Sequence, residues 1–380
     1  VSDSSNIEWT DATWNPVVGC SRVSAGCDHC YAVGMTRRLE GMSKAAGFGL
    51  TGHRAENYRG LTIELPQAAV DRGCGVNGRH FNGEVRCVEE ALEVPLRWKK
   101  PKRIFVNSMS DLFHPKVPFE FIDQVFAVMA LSPQHTFQVL TKRPERMAEY
   151  LSQTPRETMS RPRRVGAQMG EFAADWPVSR VARCERTAGC PHWPLRNVWL
   201  GTSCEDQAAA DERIPYLLSC PAAVRFLSCE PLLGPIDLCR ALCNLKQFAF
   251  AVSDAHADGF LSIGEAEAAI GRHRLERGQR PMIDWVIVGG ESGPGARHCD
   301  VESIRSIVLQ CGAAGVPCFV KQIGTRAMWS GPAGDRWPTE MRYEEEAGAW
   351  RVLVRDSKGG NPSEWPTDLR VRQMPAGGAA

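Results

Sequence analysis

The chain has 380 residues with a formal net charge of +1, and 43% of them are hydrophobic, enough for one large α/β domain or two medium ones. So even a balance gives no bulk electrostatic case for nucleic acid or an anionic membrane, and neither an eighteen-residue apolar run nor a signal peptide is apparent. The fifteen cysteines are scattered rather than spaced as a disulfide framework, which predicts reduced thiols in a soluble, cytoplasmic protein.

The first informative stretch is 7–31, where Cys20, Cys27 and Cys30 follow a C-x6-C-x2-C spacing. A C-x2-C pair turns two thiolates toward one point, and a third cysteine upstream can close the same site from a loop. His29 lies between two of these ligands and points away, so the spacing supplies three thiolates and one open position. That suits an iron–sulfur cluster with a free iron. A zinc site completed by a distant fourth ligand is the other reading the spacing leaves open.

A helix is predicted from Ala32 to Leu39, then an irregular excursion over 41–83. Beyond it, short apolar runs alternate with helices. Arg103–Ser108 leads to Asp111 and a helix near Pro118–Ala130. Thr136–Leu140 leads to Thr141, Lys142 and Arg143 and a helix to about Leu151. Asn197–Gly201 leads to Ser203 and a helix to Leu218. Val224–Ser228 leads to Glu230. Asp284–Val288 leads to Gly289, Gly290, Glu291 and Ser292 and a helix near Val301–Ala314. Pro317–Val320 leads to Lys321. This alternation predicts a parallel sheet. With weaker strands near Trp14–Val18 and Val85–Val88 the count reaches eight, so the expected fold is a full or partial (β/α) TIM-type barrel forming one domain over 1–380. An open doubly wound sheet is the alternative, but no Gly-rich dinucleotide fingerprint follows the first strand. Nearly every strand ends in a polar residue at its C-terminal edge, where barrels carry their chemistry. Ser108, Asp111, Thr141, Lys142, Arg143, Ser203, Ser228, Glu230, Glu291 and Lys321 are therefore candidate site residues.

Two insertions interrupt the pattern. The first, 152–196, is basic, and its arginines near Trp176 and Trp193 suit phosphate contact; Cys184, Cys190 and His192 lie within it. The second, 239–282, is read as a helical pair around an EF-hand-like loop. Asp254, Asp258, the Phe260 carbonyl, Ser262 and Glu265 fall at calcium-ligand positions, with Gly259 at the sharp turn and His256, a poor ligand, at position three.

Seven strings carry a further signal: Ile-Glu-Trp-Thr-Asp-Ala-Thr-Trp-Asn-Pro-Val (7–17), Gly-Cys-Asp-His-Cys-Tyr-Ala (26–32), Ser-Met-Ser-Asp-Leu-Phe-His (108–114), Leu-Thr-Lys-Arg-Pro-Glu-Arg-Met (140–147), Val-Trp-Leu-Gly-Thr-Ser (198–203), Arg-Phe-Leu-Ser-Cys-Glu-Pro-Leu-Leu-Gly-Pro-Ile (225–236) and Trp-Val-Ile-Val-Gly-Gly-Glu-Ser-Gly (285–293). Together they resemble the phage and bacterial "three-Cys-motif" proteins, relatives of the radical SAM enzymes. The resemblance implies a [4Fe–4S] cluster on Cys20, Cys27 and Cys30, S-adenosylmethionine on the fourth iron, and an electron donor such as flavodoxin or ferredoxin. One-electron cleavage would then give a 5′-deoxyadenosyl radical. It also implies cofactor-binding roles. Gly289-Gly290-Glu291 with Ser292 looks like the motif that holds the SAM amino group, and Asp111 and Glu230 are rival carboxylates for it. Lys142, Arg143 and Lys321 are candidates for the SAM carboxylate or a substrate phosphate, and Tyr31 for packing near cluster or adenine. Two features depart from the superfamily pattern: the first cysteine gap is six rather than three, and the Gly-Gly-Glu follows a late strand. The arginine-rich insertion and the phage setting point to a nucleic acid base or nucleotide as substrate. The rival functions are a metal-dependent barrel hydrolase or lyase using Asp111, Glu230 and Glu291, and a zinc-stabilised nucleic-acid- or partner-binding protein.

Overall fold

A computed structural model describes residues 4–44, 55–71, 74–152, 161–173, 193–242, 282–293, 295–330, 337, 339–345 and 347–375. The EF-hand-like loop and the Cys184, Cys190 and His192 group lie outside the described residues. The protein is a mixed α/β chain in two compact units, the first comprising Val1–Thr202, Ser219–Ala223 and Gly377–Ala380, the second Ser203–Leu218 and Val224–Ala376.

The first unit is built on β1 (Ala12–Trp14), β2 (Arg103–Val106), β3 (Thr136–Thr141) and β4 (Val198–Ser203), adjacent in that order and all parallel, with β4 delivering its last residue to the second unit. Ala12 is in register with Ile104, Arg103 with Thr136, and Phe137 with Val198. Strands β2 to β4 are apolar on both faces, as a parallel sheet covered by helices requires; Ile104, Val106, Phe137, Val139, Trp199 and Leu200 are all buried. Trp14 fixes the edge strand, with its ring 5.7 Å from Phe137 and its indole N–H donating to the Ala91 carbonyl at 2.7 Å.

Helix α1 (Tyr31–Lys44) follows the cysteine loop. Helices α2 (Phe119–Ala130) and α3 (Pro144–Ser152) follow β2 and β3. Helix α4 (Arg161–Ala173) makes up most of the described part of the basic insertion. It is no free basic arm: Val165 and Met169 are buried, and the Arg164 guanidinium lies 3.8 Å from the buried Asp123 carboxylate of α2.

The expected eighth strand is shorter and differently paired. Arg86–Cys87 runs antiparallel to Val17–Val18, and neither joins the parallel strands. The excursion at 41–83 contains an antiparallel pair, Thr62–Glu64 with Arg79–Phe81.

The second unit holds three parallel strands, β5 (Val224–Cys229), β6 (Trp285–Gly289) and β7 (Cys318–Gln322), adjacent in that order. Helix α5 (Gln207–Ser219) precedes them, and α6 (Val301–Ala314) joins β6 to β7. The ends of α6 follow from local chemistry: the Asp300 carboxylate accepts the Glu302 N–H at 3.1 Å, and Gly315 stops the helix at φ +63°. A four-stranded sheet (Cys299–Asp300, Ala327–Trp329, Ala349–Val352 and Met341–Glu344, in that order) completes the unit.

Candidate metal centre

Backbone geometry places the three cysteines. Gly19 has φ +85°, and a Cβ there would fall 2.2 Å from the Glu84 carbonyl oxygen, so only glycine lets the chain pass this point into Cys20. The Cys20 carbonyl accepts from Gly83 N–H at 3.2 Å. Cys27 and Cys30 sit one turn apart, with Cys27 N–H donating to Ser24, Cys30 N–H to Cys27, and Val33 N–H to Cys30 as α1 begins. The excursion braces this turn from outside: buried His80 places Nε2 3.0 Å from the Cys27 carbonyl, and Gly75 N–H donates to the Asp28 carbonyl at 2.9 Å. Asp28 in turn holds Arg22 at 2.5 Å. Tyr31, largely exposed, clasps the end of β2 by donating its hydroxyl to the Ser108 carbonyl at 2.5 Å. Ser108 donates its own hydroxyl to Asn15 at 3.1 Å.

None of the three is in a disulfide, and each residue is half-buried. Cys20 and Cys30 also pack against an apolar cluster that includes Val18, Val33, Leu61, Phe81 and Met109.

Above Cys20 lies a polar network. Asp111 accepts four hydrogen bonds: at Oδ1 from Phe113 N–H (3.0 Å) and the Thr141 hydroxyl (2.7 Å), and at Oδ2 from Lys142 N–H (3.2 Å) and Arg143 Nη1 (2.9 Å). A carboxylate has about four acceptor positions, so this one is filled. Arg143 spends its four terminal N–H groups as well. Nη1 also reaches Cys20 Sγ at 3.8 Å, and Nη2 donates to the Ser21 carbonyl (3.0 Å) and the Ser21 hydroxyl (2.9 Å). His114 completes the set. Its Nδ1 accepts the Lys116 N–H at 3.2 Å, so in the neutral ring Nε2 carries the proton and donates to Ser21 Oγ at 2.9 Å.

The electrostatics match this wiring. Burial, then the charge of Asp111, pushes the Cys20 thiol up to about 12, with Arg143 pulling the other way. Burial raises Cys30 too, and the charge of Cys27 adds to it. Burial and the neighbouring Arg143 hold His114 down at about 4, so the imidazole is neutral near pH 7.

By donor type alone, three thiols in one loop are the ligands an iron–sulfur cluster takes. Three cysteines, none in a disulfide, share one braced loop. No three His, Cys, Asp or Glu side chains among the described residues converge as ligands of a single ion. Each thiolate of a cubane cluster binds a different iron, so a cluster does not require that convergence.

The remaining candidates belong to the second unit. Lys321 Nζ lies 3.2 Å from Glu230 Oε1. A Cβ on Gly289 would fall 2.9 Å from that same oxygen, and one on Gly290 would fall 2.4 Å from the Ile323 carbonyl oxygen. Glu291 is nearly buried and is gripped by Arg297 through its backbone N–H (2.8 Å), Nε (3.0 Å) and Nη2 (2.7 Å). The Gly-Gly-Glu sequence thus has a packing and loop-closing basis of its own. Ser203 and Ser228 are buried, their carbonyls accepting from Arg213 at 2.8 Å and Cys204 N–H at 2.9 Å, whereas Ser292 is exposed.

Sequence reasoning missed Ser21, His80 and His114 as parts of the site. His114 stands at the end of the quoted 108–114 string, and a histidine three residues beyond a strand-end aspartate was a usable signal. His80 gave none, because its approach to Cys27 depends on pairing across the excursion. Cys74, free of any disulfide and half-buried, was also passed over.

No helix among the described residues is long and apolar enough to cross a membrane. A family model described as "Protein of unknown function (DUF5131)" matches residues 4–358. No curated protein and no solved structure matches the chain.

Proposed function

We propose a radical SAM-like reaction for this chain, which belongs to the DUF5131 family of proteins of unknown function. The observation that carries the reading is the braced loop of three free thiols, Cys20, Cys27 and Cys30, with a saturated Asp111–Arg143 pair against the first of them. Cys20, Cys27 and Cys30 would hold a [4Fe–4S] cluster whose remaining iron takes S-adenosylmethionine, supplying one-electron cleavage chemistry and hydrogen abstraction from a substrate. The resemblance to three-Cys-motif proteins supports the same assignment and, with it, a partial (β/α) barrel as the full architecture.

The chain's own residues do the positioning. The Gly19 crossing and the His80 and Gly75 contacts fix the loop, while the apolar cluster behind Cys20 and Cys30 keeps water from that side. Tyr31, clasped to Ser108, stands at the loop's outer edge and would face adenine. Lys142, beside Arg143, is the candidate cation for the carboxylate of S-adenosylmethionine. Glu230 and Lys321 form a separate acid–base pair suited to a substrate proton or phosphate. A nucleic acid base or nucleotide is the proposed substrate class, a flavodoxin- or ferredoxin-like protein the proposed reductant, and the cytoplasm the proposed location.

Anaerobic reconstitution with iron and sulfide tests the reading. The expected product is a brown protein whose broad visible absorption is lost in Cys27→Ala and which releases 5′-deoxyadenosine from S-adenosylmethionine under dithionite. Stoichiometric zinc in anaerobically purified protein, with no iron uptake, would sink it.

A further inference from the structure

Arg143 invites assignment as a ligand for a cofactor's carboxylate, but its geometry points elsewhere. Two terminal N–H groups go to the backbone and hydroxyl of Ser21, one to Asp111, and one to Cys20 Sγ at 3.8 Å. No terminal donor is left over. Asp111 is filled in the same way, so the pair cannot reorganise toward a ligand without abandoning buried partners; its side chains are 12% and 7% exposed. Ser21 is held in turn by His114, with both hydroxyl lone pairs occupied.

We infer that Arg143 is a positioning residue for the cluster ligand Cys20: its guanidinium holds the Cys20–Ser21 backbone and donates an N–H···S hydrogen bond to the Cys20 sulfur. The inference rests on the reading that Cys20 binds iron. Hydrogen bonds and positive charge at a ligand sulfur stabilise the more negative, reduced cluster, so this contact raises the reduction potential. Lysine cannot replace it. An ammonium retains the charge and the pairing to Asp111 but lacks the planar fork that serves Ser21, Asp111 and Cys20 together.

The test is an EPR-monitored redox titration of the full-length reconstituted protein without S-adenosylmethionine, comparing wild type, Arg143→Lys, Arg143→Gln and Ser21→Ala. Iron and sulfide content and the thermal transition are measured alongside. The expected result is wild-type iron content with a midpoint potential shifted negative in Arg143→Lys, further in Arg143→Gln, and least in Ser21→Ala. If Arg143→Gln loses its thermal transition, the other two variants carry the same expectation. Unchanged potentials in iron-loaded Arg143→Lys and Ser21→Ala would overturn this inference and leave the cluster assignment standing. Wild-type protein that takes up no iron would overturn both.

Discussion

The two units each pair a carboxylate with a cation at the end of a parallel strand, yet the pairs are built differently. Asp111 and Arg143 are almost fully buried, and their polar atoms are spent on one another, on Ser21 and on Cys20. Glu230 and Lys321 meet through a single contact at 3.2 Å, with side chains 13% and 26% exposed. A pair wired into several backbone groups acts as a scaffold, because removing either member strands a buried charge. A pair joined at one point can open for a ligand at small cost. Residue type at a strand end therefore does not separate a bracing carboxylate from a reacting one; the number of partners does.

The sharpest way to break this contrast is to remove each cation. Arg143→Met should cost about 3–5 kcal/mol because it leaves Asp111 buried and unpaired, whereas Lys321→Met should cost about 1 kcal/mol or less; urea unfolding of both variants gives the comparison. Equal losses would erase the distinction.

Next in size are the two glycines at the end of β6, Gly289 within it and Gly290 just beyond. Gly290→Ala drives a methyl against the Ile323 carbonyl oxygen and the Cys299 Cβ, 2.4 and 2.8 Å away, and should cost about 1–3 kcal/mol by overpacking. Gly289→Ala meets the far end of the Glu230 side chain at 2.9 Å and the Gln322 carbonyl oxygen only at 3.1 Å, so its loss of thermal stability should be smaller while Glu230 is pushed from Lys321. Differential scanning calorimetry on the pair decides between a rigid and a yielding neighbour.

A third effect depends on pH. His114 titrates at about 4 in the fold against about 6.5 in an unfolded chain. Its contribution to stability is complete above the unfolded value and is lost as pH falls through the folded one. Wild type should therefore lose stability relative to His114→Gln between about pH 6.5 and 4, read as converging melting temperatures; parallel curves would show that the ring is not held neutral by its partners.

Much of the first unit's frame was legible because its strands are apolar runs ending abruptly in polar residues, and α6 because Asp300 and Gly315 mark both its ends. Local pattern could not show that Arg86–Cys87 pairs with Val17–Val18 or that His80 reaches Cys27, since both depend on chain segments far apart in sequence. Nor does composition reveal how a charge is used. Arg164 reads as part of a basic surface but lies against Asp123, and Arg143 reads as a ligand for anions but is bound to Asp111 and the distant cysteine loop. Of the sequence-derived site, the cysteine loop and the Asp111, Thr141, Lys142 and Arg143 group come together in the first unit, and Glu230 with Lys321 in the second.

Apart from Gly19, the loop's supports come later in the chain than its thiols: Gly75, His80, Gly83, then Asp111, and last Arg143. During synthesis the three cysteines leave the ribosome long before their braces exist. Until the strand that ends at Thr141 has been made and docked, they are loose thiols on an unfinished chain, exposed to whatever metal or oxidant is at hand. Assembly of the site is thereby placed after translation of Arg143, more than a hundred residues beyond the last of the three cysteines.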